Sequence, residues 1–132
     1  MKRLMKYSAV ALALMLFIGG ATFVSARNIA EYDVVMPRFG GATYTDTLTK
    51  TNQSRAVNNN GSIGGGYKMN CAVYWGSDKI TEDYSLTSGS RILIPYNEAY
   101  NFVDSNVKLG MWTGLTTYVK VAASGSWSPD EN

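Results

Sequence analysis

Histidine is absent from the 132 residues of this chain, and cysteine occurs only once, at Cys71. Without histidine, neither a Ser-His-Asp nor a Cys-His arrangement can form, and the commonest protein ligand for transition metals is missing. A zinc site is excluded as well, since one cysteine cannot supply its usual set of ligands. The composition therefore predicts no catalytic triad, no metal and no cofactor.

The N-terminal segment has the parts of a secretory signal peptide in the right order. The chain begins with the cationic MKRLMK, continues with the apolar AVALALMLFI, and reaches the small residues VSA just before Arg27. The apolar run is well short of the roughly 20 residues that span a bilayer as a helix. We therefore predict a signal peptide over residues 1–26, cleaved between Ala26 and Arg27. An uncleaved N-terminal anchor is the alternative.

Cleavage would release residues 27–132 as a single domain, secreted into the medium or held at the cell wall, without a stable membrane anchor. In this part of the chain nine Lys and Arg stand against ten Asp and Glu, a net charge of −1. A nucleic-acid partner requires a clustered basic surface, whereas these cations are spaced singly. The charge pattern therefore predicts no nucleic-acid partner.

A lone cysteine leaves the predicted domain without an intramolecular disulfide, although small exported domains often depend on disulfides. Stability must then come from an apolar core. Cys71 lies in an alternating apolar run and is interpreted as a small buried side chain. A reactive thiol or an intermolecular bridge is the alternative.

Short runs of β-branched and aromatic residues alternate with turn residues, which is typical of an all-β domain. The clearest predicted strand is Tyr67–Trp75, in which every second residue from Tyr67 faces one side. Further predicted strands cover residues 33–36, 43–48, 79–86, 90–96, 107–113 and 117–123, with Pro95 at a strand end or sheet edge. Six to seven antiparallel strands favour a single small β-sandwich. A closed small barrel is the alternative.

Three further segments carry predictions of their own. Thr51–Gly66, which is rich in Gly and Asn, is interpreted as a long flexible connection. Asn97–Asp104 is predicted to form one helical turn or a loop. In the terminal GSWSPDEN, Trp127 is expected to close the last strand or to pack over the rim, and Asp130 and Glu131 to be solvated charges.

Acidic residues offer no recognisable pair for glycoside hydrolysis, which needs two carboxylates at a set separation. Glu82 and Asp83 are adjacent, so on a strand they point to opposite faces. The other carboxylates, Asp46 among them, are scattered along the sequence. We therefore predict no enzyme; a minor enzyme that uses Asp46, Glu82 or Asp83 is an alternative.

Tyrosine and tryptophan are abundant, with nine Tyr and three Trp in the chain. Tyr74, Trp112 and Tyr118 are the candidates for a binding surface, because alternation sets each of them opposite an apolar neighbour. Such side chains offer a large contact area at low entropic cost. The alternative is that they fill a small sandwich core.

After the basic signal peptide with its VSA site, the chain contains in order the stretches MPRFGGATYT, TNQSRAVNNNGSIGGGYKMNCAVY, LTSGSR and ASGSWSPDE, the last of which includes the closing motif GSWSPD. In these stretches the chain resembles a family of small exported proteins of Gram-positive bacteria, known only as a domain of unknown function. The resemblance covers Val34–Glu131. It implies export from a Gram-positive cell and a single compact domain, and it implies no activity and no site residues.

Taken together, these features predict an exported, non-enzymatic β-sandwich that binds a cell-wall glycan or a protein partner. It would act at the cell surface or in the medium. A diffusible bacteriocin-like competition factor is the alternative. That alternative is disfavoured because residues 27–132 lack a cationic amphipathic segment of the kind that inserts into membranes.

Overall fold

The computed structural model describes residues 27–132. The predicted signal peptide and Ala26 of its cleavage site lie outside the described residues. Within residues 27–132, no helix has the length and the apolar composition needed to cross a membrane.

The described chain contains ten strands. Their bounds are β1 Ala30–Met36, β2 Thr43–Tyr44, β3 Leu48–Thr49, β4 Ala56–Ile63, β5 Met69–Trp75, β6 Asp78–Lys79, β7 Tyr84–Leu86, β8 Arg91–Ile94, β9 Asn106–Trp112 and β10 Val121–Ser128. Single 3₁₀ turns occur at Arg38–Gly40, Gly64–Gly66 and Ala99–Phe102. The last of these is the short helical turn predicted within Asn97–Asp104.

The strands form two sheets that pack together, which confirms the predicted all-β sandwich. The first sheet has four strands in the order β1-β10-β4-β8. The second has six, with β2-β9-β5-β6 in a row and with β3 on β9 and β7 on β5. Every pairing is antiparallel. Pro95 directly follows β8, an outer strand of the first sheet, as predicted.

The predicted alternation is clearest in β5. Met69, Cys71 and Val73 are fully buried between the sheets, while Trp75 at the end of the strand is half exposed. Cys71 is thus a small core residue, as expected, and burial raises the pKa of its thiol to about 11. The inward residues of the other long strands complete the core, among them Tyr32, Met36, Ile63, Ile94, Val107, Leu109, Met111, Val121 and Trp127.

The prediction of a flexible connection over Thr51–Gly66 is wrong, because Ala56–Ile63 is β4 and lies between β10 and β8. Two asparagines of this strand, Asn58 and Asn60, are buried. The Tyr32 hydroxyl donates to Asn58 Oδ1 at 2.8 Å and accepts from Asn60 Nδ2 at 3.0 Å. Tertiary hydrogen bonds therefore override the low strand propensity of asparagine.

The last predicted strand covers residues 117–123, whereas β10 is Val121–Ser128. Trp127 is the next-to-last residue of β10, as expected for a residue that closes the last strand, and it is buried in the core rather than at the rim. Asp130 was predicted to be solvated and is instead fully buried. Glu131 is half-buried beside Arg55, with 3.0 Å between its Oε2 and the guanidinium Nη2.

Asp130 is buried because it forms an ion pair with Lys50, whose side chain is also inaccessible to solvent. Lys50 Nζ lies 2.7 Å from Asp130 Oδ1 and also donates to the Ser54 carbonyl at 2.7 Å. The second carboxylate oxygen of Asp130 accepts from the backbone and the hydroxyl of Thr51, at 2.6 and 3.0 Å. The Tyr96 ring covers the ammonium, with 4.0 Å between Nζ and the ring centroid.

Replacing Lys50 by methionine is expected to lower the free energy of unfolding by about 3–5 kcal/mol, because it leaves the Asp130 carboxylate buried without its counterion. Urea unfolding followed by circular dichroism measures this loss. The matched control is Arg55→Ala, which breaks the half-exposed pair with Glu131 and should cost less than about 1 kcal/mol. Equal losses in the two variants would contradict a dominant role for the buried pair.

Candidate functional site

The outward face of the second sheet carries a group of aromatic and lysine side chains. Along β9, Val107, Leu109 and Met111 point into the core. The residues between them therefore face outward. With their neighbours on β2, β5 and β6 they form a surface that we name the aromatic–lysine surface, made of Tyr44, Tyr74, Lys79, Lys108 and Trp112.

Strand register brings these residues together. Gly110 of β9 lies opposite both Tyr44 on β2 and Ala72 on β5. Two residues along β9, on the same face, Lys108 lies opposite Tyr74, which in turn lies opposite Lys79 on β6. Because Gly110 and Ala72 at the centre are small, the surrounding aromatic rings can pack directly against the sheet.

Gly110 is required by this arrangement. A Cβ atom at this position would lie 2.5 Å from Cε1 of Tyr74 and 3.0 Å from Cε1 of Tyr44. Both distances are at or below the shortest that carbon atoms tolerate, so a side chain here would displace the rings. The absence of a side chain at Gly110 thus shapes the surface.

The rings and the ammonium groups contact one another directly. Tyr44 and Tyr74 meet edge to face, with ring centroids 5.3 Å apart and an interplanar angle of 89°. Lys108 Nζ lies 4.5 Å from the Tyr44 centroid, and Lys79 Nζ lies 5.1 Å from that of Trp112. These are cation–π distances, at which the negative face of a ring attracts the ammonium.

Carboxylates adjoin the surface on two sides, because Asp83 lies beside Lys79 and because Glu31, Asp33 and Asp46 line a shallow depression together with Tyr44. Asp83 Oδ1 lies 2.6 Å from Lys79 Nζ, and this hydrogen bond raises the pKa of the lysine. Burial raises the pKa of the Tyr74 hydroxyl, which therefore remains protonated. The five residues of the surface itself carry two ammonium groups and no carboxylate.

The structure brings together two of the three aromatic residues predicted from the sequence, Tyr74 and Trp112, both half-buried. Tyr118 lies instead in the loop after β9, with 68% of its surface exposed. Sequence reasoning missed Tyr44 and both lysines. The only signal for Tyr44 was its place in a predicted strand, and alternation within one strand does not reveal which residues lie across from it.

A second polar region lies on the outward face of the first sheet. Glu31 and Asp33 of β1 border an open depression of about 670 Å³. The other residues that line it include Asn59, Ser124 and Ser126. These polar residues could form hydrogen bonds with a polar ligand. The aromatic residue in the lining, Tyr32, is buried and offers no exposed ring for stacking.

The carboxylates considered for catalysis are dispersed. Asp83 is engaged by Lys79, while Asp46 and Glu82 are exposed. Within the described part of the chain, no three Asp, Glu or Cys side chains are grouped so as to hold a metal ion.

Fold and surface together define a small β-sandwich domain with an aromatic outer face. No protein-family model matches the chain, and no curated protein matches it. Among solved structures, it is similar to one titled "Crystal structure of PirA", with a TM-score of 0.43 and 12% identity. That match covers 74% of this chain and 89% of the other. Likeness of this degree indicates neither a shared family nor a shared activity.

Gly110→Ala is expected to move the Tyr44 and Tyr74 rings and so to change the near-ultraviolet circular dichroism of the tyrosines. Because the rings have solvent to move into, the loss of stability should fall at the low end of the about 1–3 kcal/mol that overpacking costs. The control is Gly114→Ala, where a Cβ would meet only Thr117 Oγ1, at 3.7 Å. An unchanged Gly110→Ala spectrum would contradict the close contact described.

Proposed function

We propose that the protein is an exported, non-enzymatic binding module that holds an anionic glycan of the cell wall on its aromatic–lysine surface. The observation that carries this proposal is the placement of two ammonium groups over aromatic rings on an accessible sheet face. Aromatic and cationic groups are thereby combined within one surface.

The chemistry of these groups matches a charged polysaccharide. The C–H groups of a sugar ring carry a slight positive charge and pack against the negative faces of aromatic rings. Carboxylate or phosphate groups on the polymer would pair with Lys79 and Lys108. A neutral sugar would use only the rings, so the two lysines favour an anionic ligand.

The openness of the surface favours a polymer over a small molecule. Sites for small molecules are concave and enclose most of the ligand, whereas Tyr44 is 44% exposed on the face of a sheet. An extended chain gains contact by running along such a face. The carboxylate of Asp83 is held by Lys79, which supports a role in binding rather than in acid–base chemistry.

The exchange Lys79→Gln with Lys108→Gln should lower affinity for an anionic glycan about tenfold, because two exposed charge pairs of under 1 kcal/mol each are lost. The assay is cosedimentation with Gram-positive sacculi that retain their anionic polymers, beside sacculi stripped by acid. Binding should weaken as salt is added, since the charges are exposed. The control is Arg91→Gln, which removes an exposed cation from the other sheet.

Equal binding to intact and stripped sacculi would contradict an anionic ligand, and an equal loss in the Arg91→Gln control would contradict the assignment of the site. Trp112→Leu tests the rings separately and should also weaken binding. Tyr118→Ser should leave glycan binding unchanged, because Tyr118 lies in a loop outside the aromatic–lysine surface.

Export is tested by fractionating cells that express the full chain and measuring intact mass in each fraction. We expect the mass of residues 27–132 in the medium, or in a wall fraction released by salt. The full-length mass in the membrane fraction would contradict cleavage before Arg27.

A further inference from the structure

Apolar side chains project from one end of the sandwich. Phe39, in the turn between β1 and β2, is 60% exposed. Leu115 and Tyr118, in the loop between β9 and β10, are 81% and 68% exposed. We name these three residues the apolar tip.

The two loops that carry the tip form one surface. The backbone N–H of Phe39 donates to the carbonyl of Thr117 at 2.7 Å. Within the second loop, the N–H of Thr117 donates to the carbonyl of Gly114 at 3.0 Å. A Cβ added at Gly40 would lie 3.1 Å from Cδ2 of Leu115, so the loops are in close contact.

Phe39 is held in a strained conformation. Its φ of 61° and ψ of 37° are left-handed, a region that bulky side chains adopt only at a cost. No burial compensates for this cost, because most of the side chain is in solvent. Strain of this kind persists where the surrounding structure imposes it, and it clusters at functional sites.

Cations lie at the same end of the sandwich as the apolar tip. Antiparallel register brings the loops after β1, β4, β7 and β9 to this end of the sandwich. They cover residues 37–42, 64–68, 87–90 and 113–120. Their charged residues are Arg38, Lys68 and Lys120, and these four loops contain no Asp or Glu.

The carboxylates of the described chain all lie outside these four loops. Four of them, Glu98, Asp104, Asp130 and Glu131, lie in segments at the opposite end, where Lys50 pairs with Asp130 and Arg55 with Glu131. The sandwich therefore has one end that combines exposed apolar side chains with positive charge and has no carboxylate in its loops.

We propose that the apolar tip docks onto an anionic lipid bilayer. Phe39, Leu115 and Tyr118 would enter the boundary between headgroups and acyl chains, where apolar and amphipathic aromatic side chains partition. Arg38, Lys68 and Lys120 would meet the anionic headgroups, and each cation near such a surface raises partitioning about fivefold. This contact is separate from the aromatic–lysine surface and goes beyond the proposed function.

A bilayer fits the tip better than a protein partner does. The tip has only three apolar side chains, carried on two loops, with a cation next to Phe39 and another two residues after Tyr118. A protein interface has a contiguous packed centre from which charges are depleted. The surface of a lipid bilayer is fluid, so it needs no complementary shape and can accommodate a few apolar side chains next to cations.

The test is cosedimentation with vesicles of phosphatidylcholine alone and of phosphatidylcholine mixed with phosphatidylglycerol. The protein should bind the mixed vesicles and should bind the neutral ones at least tenfold more weakly, since the cations together contribute more than one factor of five. The double variant Phe39→Asn, Leu115→Ser should lose at least tenfold in partitioning to the mixed vesicles. Every variant contains residues 1–26, so any lipid binding by that segment is the same in all of them. The test is therefore the difference in binding between the variants.

Two controls separate docking from folding. Asparagine tolerates the left-handed conformation, so Phe39→Asn should melt at the same temperature as the parent chain or higher, whereas a purely structural role would lower that temperature. Ile29→Ser removes a side chain that is 55% exposed just before β1, at the other end of the sandwich. It should leave vesicle binding unchanged.

Failure to bind mixed vesicles, equal binding to neutral vesicles, or an equal loss in Ile29→Ser would each overturn the proposal. So would a loss of sacculus binding in the Phe39→Asn, Leu115→Ser variant without any vesicle binding, because the tip would then contact glycan.

Discussion

The buried ion pair between Lys50 and Asp130 holds one end of the sandwich together. Lys50 lies where the chain leaves β3 in the second sheet and crosses to β4 in the first, and its backbone also bonds to residues 104 and 105. Asp130 belongs to the segment after β10, and Tyr96 fixes that segment by donating to the Pro129 carbonyl at 2.7 Å. Removing either charge would leave the other buried without compensation, so the last residues are an integral part of the fold.

The end that contains the buried ion pair differs from the rest of the molecule in how its residues are used. The second sheet presents its aromatic–lysine surface on an outward face, where only small residues occupy the centre. The opposite end has short loops, an exposed Phe39 in a left-handed conformation and no buried ion pair within the described loops. Stabilising contacts and candidate binding groups therefore occupy different parts of the domain, and either candidate surface can be altered without touching the ion pair.

Sequence patterns predicted the parts of the fold that depend on alternation, most clearly Met69–Trp75, and the sandwich class that follows from many short strands. They failed where tertiary partners decide. Asn58 and Asn60 fit a central strand because the Tyr32 hydroxyl lies between them, and Asp130 is buried because Lys50 meets it from a distant part of the chain. In the candidate surface, Tyr74 and Trp112 were predicted from their strands, but Tyr44 joins them through strand register, which no single strand reveals.

Three cations lie in the loops at the apolar tip, whereas the rest of residues 27–132 has a net charge of −4 (−1 in total minus +3), so the domain has an electric dipole with its positive end at the tip. In the field of a negatively charged surface such a molecule rotates as it diffuses, so that its cationic loops arrive first. Orientation would then precede contact, and a larger share of collisions would be productive. This effect needs no further residue in the interface, and its range is limited to about one Debye length, roughly 8 Å at physiological ionic strength.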